Sequence, residues 1–268
     1  MALVRSLAVQ AAFYLTFVVC AVVFLPFLAL PKPALWWALC RWSDALRLVM
    51  RLGGIRMEFR GLEHLPKDGC LVACKHQSAL ETISMLAVFA RPTYVLKREL
   101  MWLPFFGWYA GRSDMLPLDR GRPSEALRKL IQKVRAAVAA GKQVVIYPEG
   151  TRRPVGAAPD YKAGIAMLYR EVKAPVVPVA LNTGLFWPRN SLWRHPGTAV
   201  VEFLPAIAPG LDMRGFQTTL VGAIEAASDR LLVEAATGPD APPLGPEAAA
   251  RVAALTAAAV PPGPDARS

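Results

Sequence analysis

From residue 6 to residue 31 the chain carries no charged side chain, and the apolar stretch 7–30 has the length to cross a hydrocarbon core about 30 Å thick. The run is too long for a cleaved signal peptide and no small-residue cleavage pattern follows it. Pro26 is placed to kink it near its end. Residues 34–52 set Trp36, Trp37 and Trp42 beside arginines, the texture of an interfacial helix. Residues 1–56 are therefore expected to form membrane-embedded or interfacial helices, either a span followed by an anchor or a re-entrant pair that never crosses. From Met57 onward short apolar runs alternate with amphipathic ones, which predicts an α/β domain with crossover helices over residues 57–235. Strands are expected at 70–74, 93–96, 115–118, 143–147, 176–181 and 198–203. The clearest helix covers 123–140: Ser124 can cap it, Leu127, Leu130, Ile131, Val134 and Val138 share one face, and Gly141 ends it. Another is expected just after His76, carrying Leu80, Ile83 and Leu86 toward the core. From residue 236 to 268 the chain turns to Ala, Pro and Gly, and an irregular tail is expected apart from a helix at 247–259.

Composition adds two points. The chain is 54% hydrophobic, above the roughly 45–50% of ordinary soluble domains, so part of the surplus is expected to face lipid. Its net charge of +11 favours anionic partners. Nucleic acid is set aside, because no zinc-finger spacing, helix-turn-helix pattern or aromatic RNA-binding box is present. Lys32, Arg41, Arg47, Arg51 and Arg56 follow the apolar stretch and only Arg5 precedes it, which by the positive-inside rule puts the main body in the cytoplasm. The cysteines (Cys20, Cys40, Cys70 and Cys74) show no metal-ligand spacing. Cys70 and Cys74 share a face of a strand and read as small core residues, as suits a reducing compartment.

Three segments carry candidate chemistry. Lys75-His76-Gln77-Ser78-Ala79-Leu80-Glu81 leaves the first strand at the carboxyl edge, where α/β sheets place ligands. His76 there can act as base toward a hydroxyl, with Glu81 holding the other ring nitrogen. Ser78 and Glu81 also match a capping box, in which Glu81 only reaches back to the backbone. Tyr147-Pro148-Glu149-Gly150-Thr151-Arg152 follows another strand; Gly150 permits a tight turn and Arg152 offers a fork for phosphate oxygens, though a plain turn with a solvated arginine has the same pattern. Leu118-Asp119-Arg120 is a strand end that could equally be a surface ion pair. No G-x-S-x-G elbow supports a serine hydrolase.

His-x4-Glu, Leu-Asp-Arg, Tyr-Pro-Glu-Gly-Thr-Arg and Val176-Val177-Pro178-Val179, in that order, resemble the 1-acyl-sn-glycerol-3-phosphate (lysophosphatidate) acyltransferases of the glycerolipid acyltransferase superfamily. The resemblance covers roughly residues 61–205. Lys162-Ala163-Gly164 and the run 178–187 look like its bacterial branch. It implies an α/β fold with a mixed, mostly parallel sheet flanked by helices, and His76 as general base with Glu81 where the family usually has aspartate. It further implies Arg120, Glu149, Gly150, Thr151 and Arg152 around the acceptor's phosphate and glycerol, and Val177 and Pro178 shaping the acyl or acceptor pocket. The implied donor is an acyl-carrier-protein or coenzyme A thioester, the acceptor lysophosphatidic acid, the product phosphatidic acid, with no metal or other cofactor and a seat in membrane lipid on the cytosolic face of the inner membrane. Asp114 stands where the family's second motif usually opens with glycine. Rival readings are the same transfer to another lysolipid, such as a lyso-ornithine lipid, and a non-catalytic module that binds anionic lipid.

Overall fold

A computed structural model describes residues 2–119 and 123–259. The N-terminal apolar stretch does not run on as one straight segment. Helix α1 (Ala2–Val23) stops before Pro26, a short 3-10 turn follows at Leu25–Leu28, and α2 (Lys32–Leu52) returns along α1. The pair is antiparallel: Gly53, at the end of α2, lies so close to Val9 that a Cβ there would collide with its methyls. Val9, Phe13 and Ala21 of α1 are buried against α2 and the domain, whereas Leu15, Val18, Val19, Val22 and Val23 are exposed. Both ends of α1 are tied to the α/β domain. Arg194 donates its backbone N–H to Ser6 Oγ and a guanidinium N–H to Gln10, and the Tyr109 hydroxyl donates to the Ala21 carbonyl.

The expected α/β domain is a seven-stranded mixed sheet. In chain order its elements are β1 (Ile55–Arg60), β2 (Cys70–Cys74), α3 (Leu80–Ser84), β3 (Pro92–Lys97), α4 (Phe106–Arg112), β4 (Leu116–Leu118), α5 (Pro123–Ala139), β5 (Gln143–Ile146), α6 (Gly164–Val172), β6 (Val176–Leu181), α7 (Thr183–Phe186), β7 (Gly197–Phe203), α8 (Met213–Thr237) and α9 (Pro246–Ala259). The spatial order is β1-β7-β6-β2-β5-β3-β4, parallel at every pairing except β6 with β7. All six expected strands begin and end within one residue of their predicted limits, and β2 and β6 match outright. β1 was not expected: the residue-56 boundary of the membrane segment falls inside it, although Ile55, Met57 and Phe59 alternate with charges in a strand period.

Strand β2 is buried on both faces, as a central parallel strand must be. Its alternate residues feed two cores. Leu71 and Ala73 pack with α5, α6 and α8, while Cys70, Val72 and Cys74 pack with Met85, Phe89 and Val177. The two strand cysteines are core residues as read, and burial pushes the Cys70 thiol up to about 12.

The helix expected at 247–259 is present as α9 (Pro246–Ala259), and it docks on α8. Ala248 is buried, Arg251 pairs with Asp229, and α9 approaches Gly156 so closely that a Cβ there would meet the Glu247 carbonyl. An alanine-rich helix packs through small facing residues rather than large apolar ones, so its docking on the domain left no mark in composition.

Candidate active site

The parallel register brings distant motifs to one edge. Ala73 of β2 pairs with Ile146 of β5, so the segments leaving both strands emerge side by side, with the ends of β3 and β6 on either flank. His76 leaves β2 with its peptide held on both sides by the β5 motif. Its N–H donates to Glu149 Oε2 at 3.0 Å, and its carbonyl accepts from the Arg153 N–H at 2.8 Å. Its ring stacks on Tyr147 at 4.0 Å between centroids, and the Tyr147 hydroxyl is anchored on Thr82. Burial raises the Tyr147 phenol well above its ordinary value, which keeps it a hydrogen-bond donor.

The His76 ring nitrogen Nδ1 lies 2.9 Å from Glu81 Oε1, with the Glu81 side chain fully buried. The same oxygen accepts from the backbone N–H groups of Gln77 and Ser78, at 3.0 and 2.8 Å. The capping and dyad readings are therefore one arrangement: the carboxylate reaches back to the helix start and holds the ring as well. Ser78 is not the cap residue; α3 starts after Ala79, which makes no side-chain cap bond, and Ser78 Oγ accepts from Leu80 N–H at 3.2 Å. The other carboxylate oxygen of Glu81 accepts from the Thr183 hydroxyl at 2.7 Å. Thr183 follows β6 and was missed by sequence reasoning, since a threonine after a strand signals nothing by itself. Gln77 closes the cluster by accepting from the Gly184 N–H.

Beside the dyad lies a cavity of about 810 Å³. One wall comes from the hairpin and β3 (Phe17, Leu39, Trp42, Tyr94), another from α5 and α6 (Leu127, Leu130, Ile165, Leu168), and His76, Thr151 and Arg152 open onto the same space. Lys97, Lys162 and Arg189 also line it. Lys162 entered the sequence reading only as part of a family motif, and Lys97 and Arg189 not at all, because a basic residue in a loop is ordinarily just solvated. Arg189 donates to the Arg152 carbonyl at 2.8 Å, so the loop after α7 and the β5 turn are joined. Gly150 adopts φ +69°, the left-handed conformation expected of it, and its N–H closes the turn on the Tyr147 carbonyl.

Other expected site residues fare differently. Glu149 is 1% exposed and its carboxylate is committed to the His76 amide, with the buried Lys75 ammonium 3.8 Å away. Burial raises its pKa against the opposing pull of Lys75. It holds the His76 backbone in place at the edge of the cavity, which Glu149 also lines. Val177 and Pro178 do not line the cavity: they are buried in β6 at the centre of the sheet, Val177 against Cys70 and Val72. Arg120 lies outside the described residues. Asp114 adopts φ +58°, a conformation that favours glycine and that aspartate tolerates better than most; it pairs there with Lys32 and Lys142. Among the described residues no cluster of His, Cys, Asp or Glu could hold a metal ion.

The acyltransferase family model matches residues 56–182, from β1 to the residue before α7. The 1-acyl-sn-glycerol-3-phosphate acyltransferase of Pseudomonas aeruginosa is 39% identical over 168 residues, covering 63% of this chain and 65% of that protein. The human 1-acyl-sn-glycerol-3-phosphate acyltransferase alpha is 30% identical over 193 residues, 69% of this chain and 68% of its own length. The chain belongs to the 1-acyl-sn-glycerol-3-phosphate acyltransferase family. It spans 65% and 53% of the Pseudomonas and Cocos nucifera relatives' lengths. The crystal structure of the 1-acyl-sn-glycerophosphate acyltransferase PlsC from Thermotoga maritima shares the fold, with a TM-score of 0.74 at 21% identity, covering 86% of this chain and 98% of that one.

Proposed function

We propose that this chain transfers a fatty acyl group from an acyl-carrier-protein or coenzyme A thioester to the 2-hydroxyl of 1-acyl-glycerol-3-phosphate, forming phosphatidic acid. The observation that carries this reading is the His76–Glu81 pair opening onto the same apolar-walled cavity as Arg152. With Glu81 on Nδ1, that nitrogen carries the ring proton and Nε2 presents its lone pair to the acceptor hydroxyl. As the hydroxyl oxygen attacks the thioester carbonyl, Nε2 takes its proton; collapse of the tetrahedral intermediate expels the thiolate, which recovers a proton from the imidazolium. No protein nucleophile is needed. The apolar walls suit acyl chains and the cations suit the phosphate. Offering purified enzyme a panel of labelled acyl carriers and lysolipids tests this: phosphatidic acid formed from lysophosphatidate is the expected product, and turnover confined to acceptors without phosphate would sink it.

The hairpin supports a seat in a membrane, and the excess of basic residues after the apolar stretch supports the cytoplasmic face of the inner membrane. Helix α1 is the one described helix long and apolar enough to cross a bilayer, yet both its ends bond to the α/β domain and one stripe of it is buried there. That arrangement favours a re-entrant pair laid into one leaflet over a lone span.

Two predictions arise from the site. Arg152→Ala is expected to raise KM for lysophosphatidate at least about tenfold, by loss of a charge-assisted pair worth about 1.5–3 kcal/mol. KM for a monoacylglycerol offered as a poor acceptor should not change, and an equal loss with both acceptors would argue against a phosphate contact. Thr183→Val removes the hydroxyl that holds the second oxygen of Glu81 with little change of shape. Its expected effect is about a tenfold fall in kcat with KM kept, and Thr183→Ser should restore most of it. A valine variant with parental kcat would mean that Glu81 needs no such positioning.

A further inference from the structure

We propose that residues 98–112 form a second membrane-contact surface, seated against an anionic lipid leaflet beside the N-terminal hairpin. The inference rests on the membrane-attached reading above and extends it to a part of the chain that its apolar N-terminus does not include. The segment joins β3 to β4 and has two faces. Inward, Leu100, Phe106 and Tyr109 line the cavity. Outward, Trp102 is 71% exposed, Trp108 55% and Leu103 49%.

The chain reverses between the two tryptophans through a strained turn. Phe105 adopts φ +61° and ψ −61°, and the Phe106 N–H donates to the Pro104 carbonyl at 2.6 Å, a three-residue turn that is rare for a bulky residue. Gly107 then packs so tightly on the Met101 carbonyl that no Cβ fits. The exposed indoles are thus held on a fixed scaffold.

Three hydrogen bonds fasten this segment to the hairpin. Arg112 donates to the carbonyls of Leu28 and Leu30, and Tyr109 donates to that of Ala21. The hairpin exposes Val22, Val23, Leu30 and Trp37 in the same region, so exposed apolar groups run from it onto the segment 98–112. A contiguous exposed apolar patch marks a binding surface, and indole rings settle at the headgroup level of a bilayer. Within 98–112 Arg98 pairs with Asp119 and Arg112 is spent on the hairpin carbonyls, so the attraction to anionic headgroups comes from the chain's net charge of +11, and the segment's own contribution is its apolar surface. Because the inner face of the segment lines the cavity, lipid on its outer face lies one side-chain layer from the acyl-binding walls.

The test uses the full chain with Trp102→Ser and Trp108→Ser combined, both residues lying outside the cavity lining. In sedimentation with vesicles of phosphatidylethanolamine and phosphatidylglycerol, the double variant is expected to bind about tenfold more weakly than the parent. Acylation of lysophosphatidate embedded in those vesicles should slow in step. Turnover of a short-chain lysophosphatidate below its micelle concentration should stay parental. Equal vesicle binding by the two chains overturns the proposal. So does a parent chain that dimerises in vesicle-free solution beside a monomeric variant, since the patch would then join two copies. Vesicle binding is read without catalysis. A chain that binds as expected yet turns over no thioester would therefore sink the acyl-transfer reading and leave this surface standing.

Discussion

His76→Ala is expected to lower kcat by about 10²–10⁴-fold while the protein stays folded. The reason for the first half is that Nε2 of His76 is the base in the proposed transfer and no second histidine lines the cavity. The reason for the second is local. The motif after β5 holds the His76 backbone, through Glu149 and the Arg153 N–H, and alanine keeps both of those bonds. The ring itself contributes the stack on Tyr147 and the bond to Glu81, and its removal enlarges a cavity already open to substrate. The cost in stability should therefore stay near about 1 kcal/mol, the scale of a typical point substitution. Turnover of an acyl thioester with lysophosphatidate, measured beside thermal unfolding, checks both halves. A well-folded alanine variant that keeps most of its turnover would remove His76 from the mechanism.

Glu81→Gln is the second substitution with a large expected effect, and it separates two jobs of one carboxylate. Glu81 Oε1 accepts from His76 Nδ1, Gln77 N–H and Ser78 N–H, and a glutamine carbonyl can accept all three. The new NH₂ group would face the Thr183 hydroxyl, which can rotate to accept. The helix start should survive and unfolding should barely shift. What is lost is the negative charge beside the imidazolium formed during transfer. At about 4 Å and an effective dielectric near 20 that interaction is about 4 kcal/mol, partly offset by the amide dipole. A fall in kcat of about 10²-fold follows. Glu81→Ala should behave differently, since Gln77 N–H, Ser78 N–H and the Thr183 hydroxyl would all lose a buried acceptor, at about 1–3 kcal/mol each. A glutamine variant with full turnover, beside a destabilised alanine variant, would reduce Glu81 to a helix cap.

The site was legible where chemistry sits next to a strand end. β2 and β5 are short apolar runs closed by polar and glycine residues, and that pattern alone puts His76 and the Glu149–Arg152 turn at the carboxyl edge. The bond of Glu149 to the His76 backbone was not legible, because the fate of a carboxylate depends on what other strands bring to it. The groups beside it are the His76 amide, 73 residues away, and the buried Lys75. Thr183 was invisible for the same reason, its partner Glu81 lying 102 residues earlier. Val177 and Pro178 were assigned to a pocket through their motif, but the all-buried strand that carries them lies between β7 and β2, inside the sheet.

By itself the sequence determined local matters: which runs become strands, where a glycine lets the backbone turn, and which stretch is long and apolar enough to cross a bilayer. These follow from side-chain period, backbone sterics and hydrophobicity, all of which act over a few residues. Only the tertiary structure decided that β5 lies against β2, that α1 folds back with α2 instead of running on alone, and that tryptophans 102 and 108 face outward while Phe106 and Tyr109 face the cavity. Strand order and burial depend on contacts between segments far apart in the chain, and a linear pattern carries no distance between them.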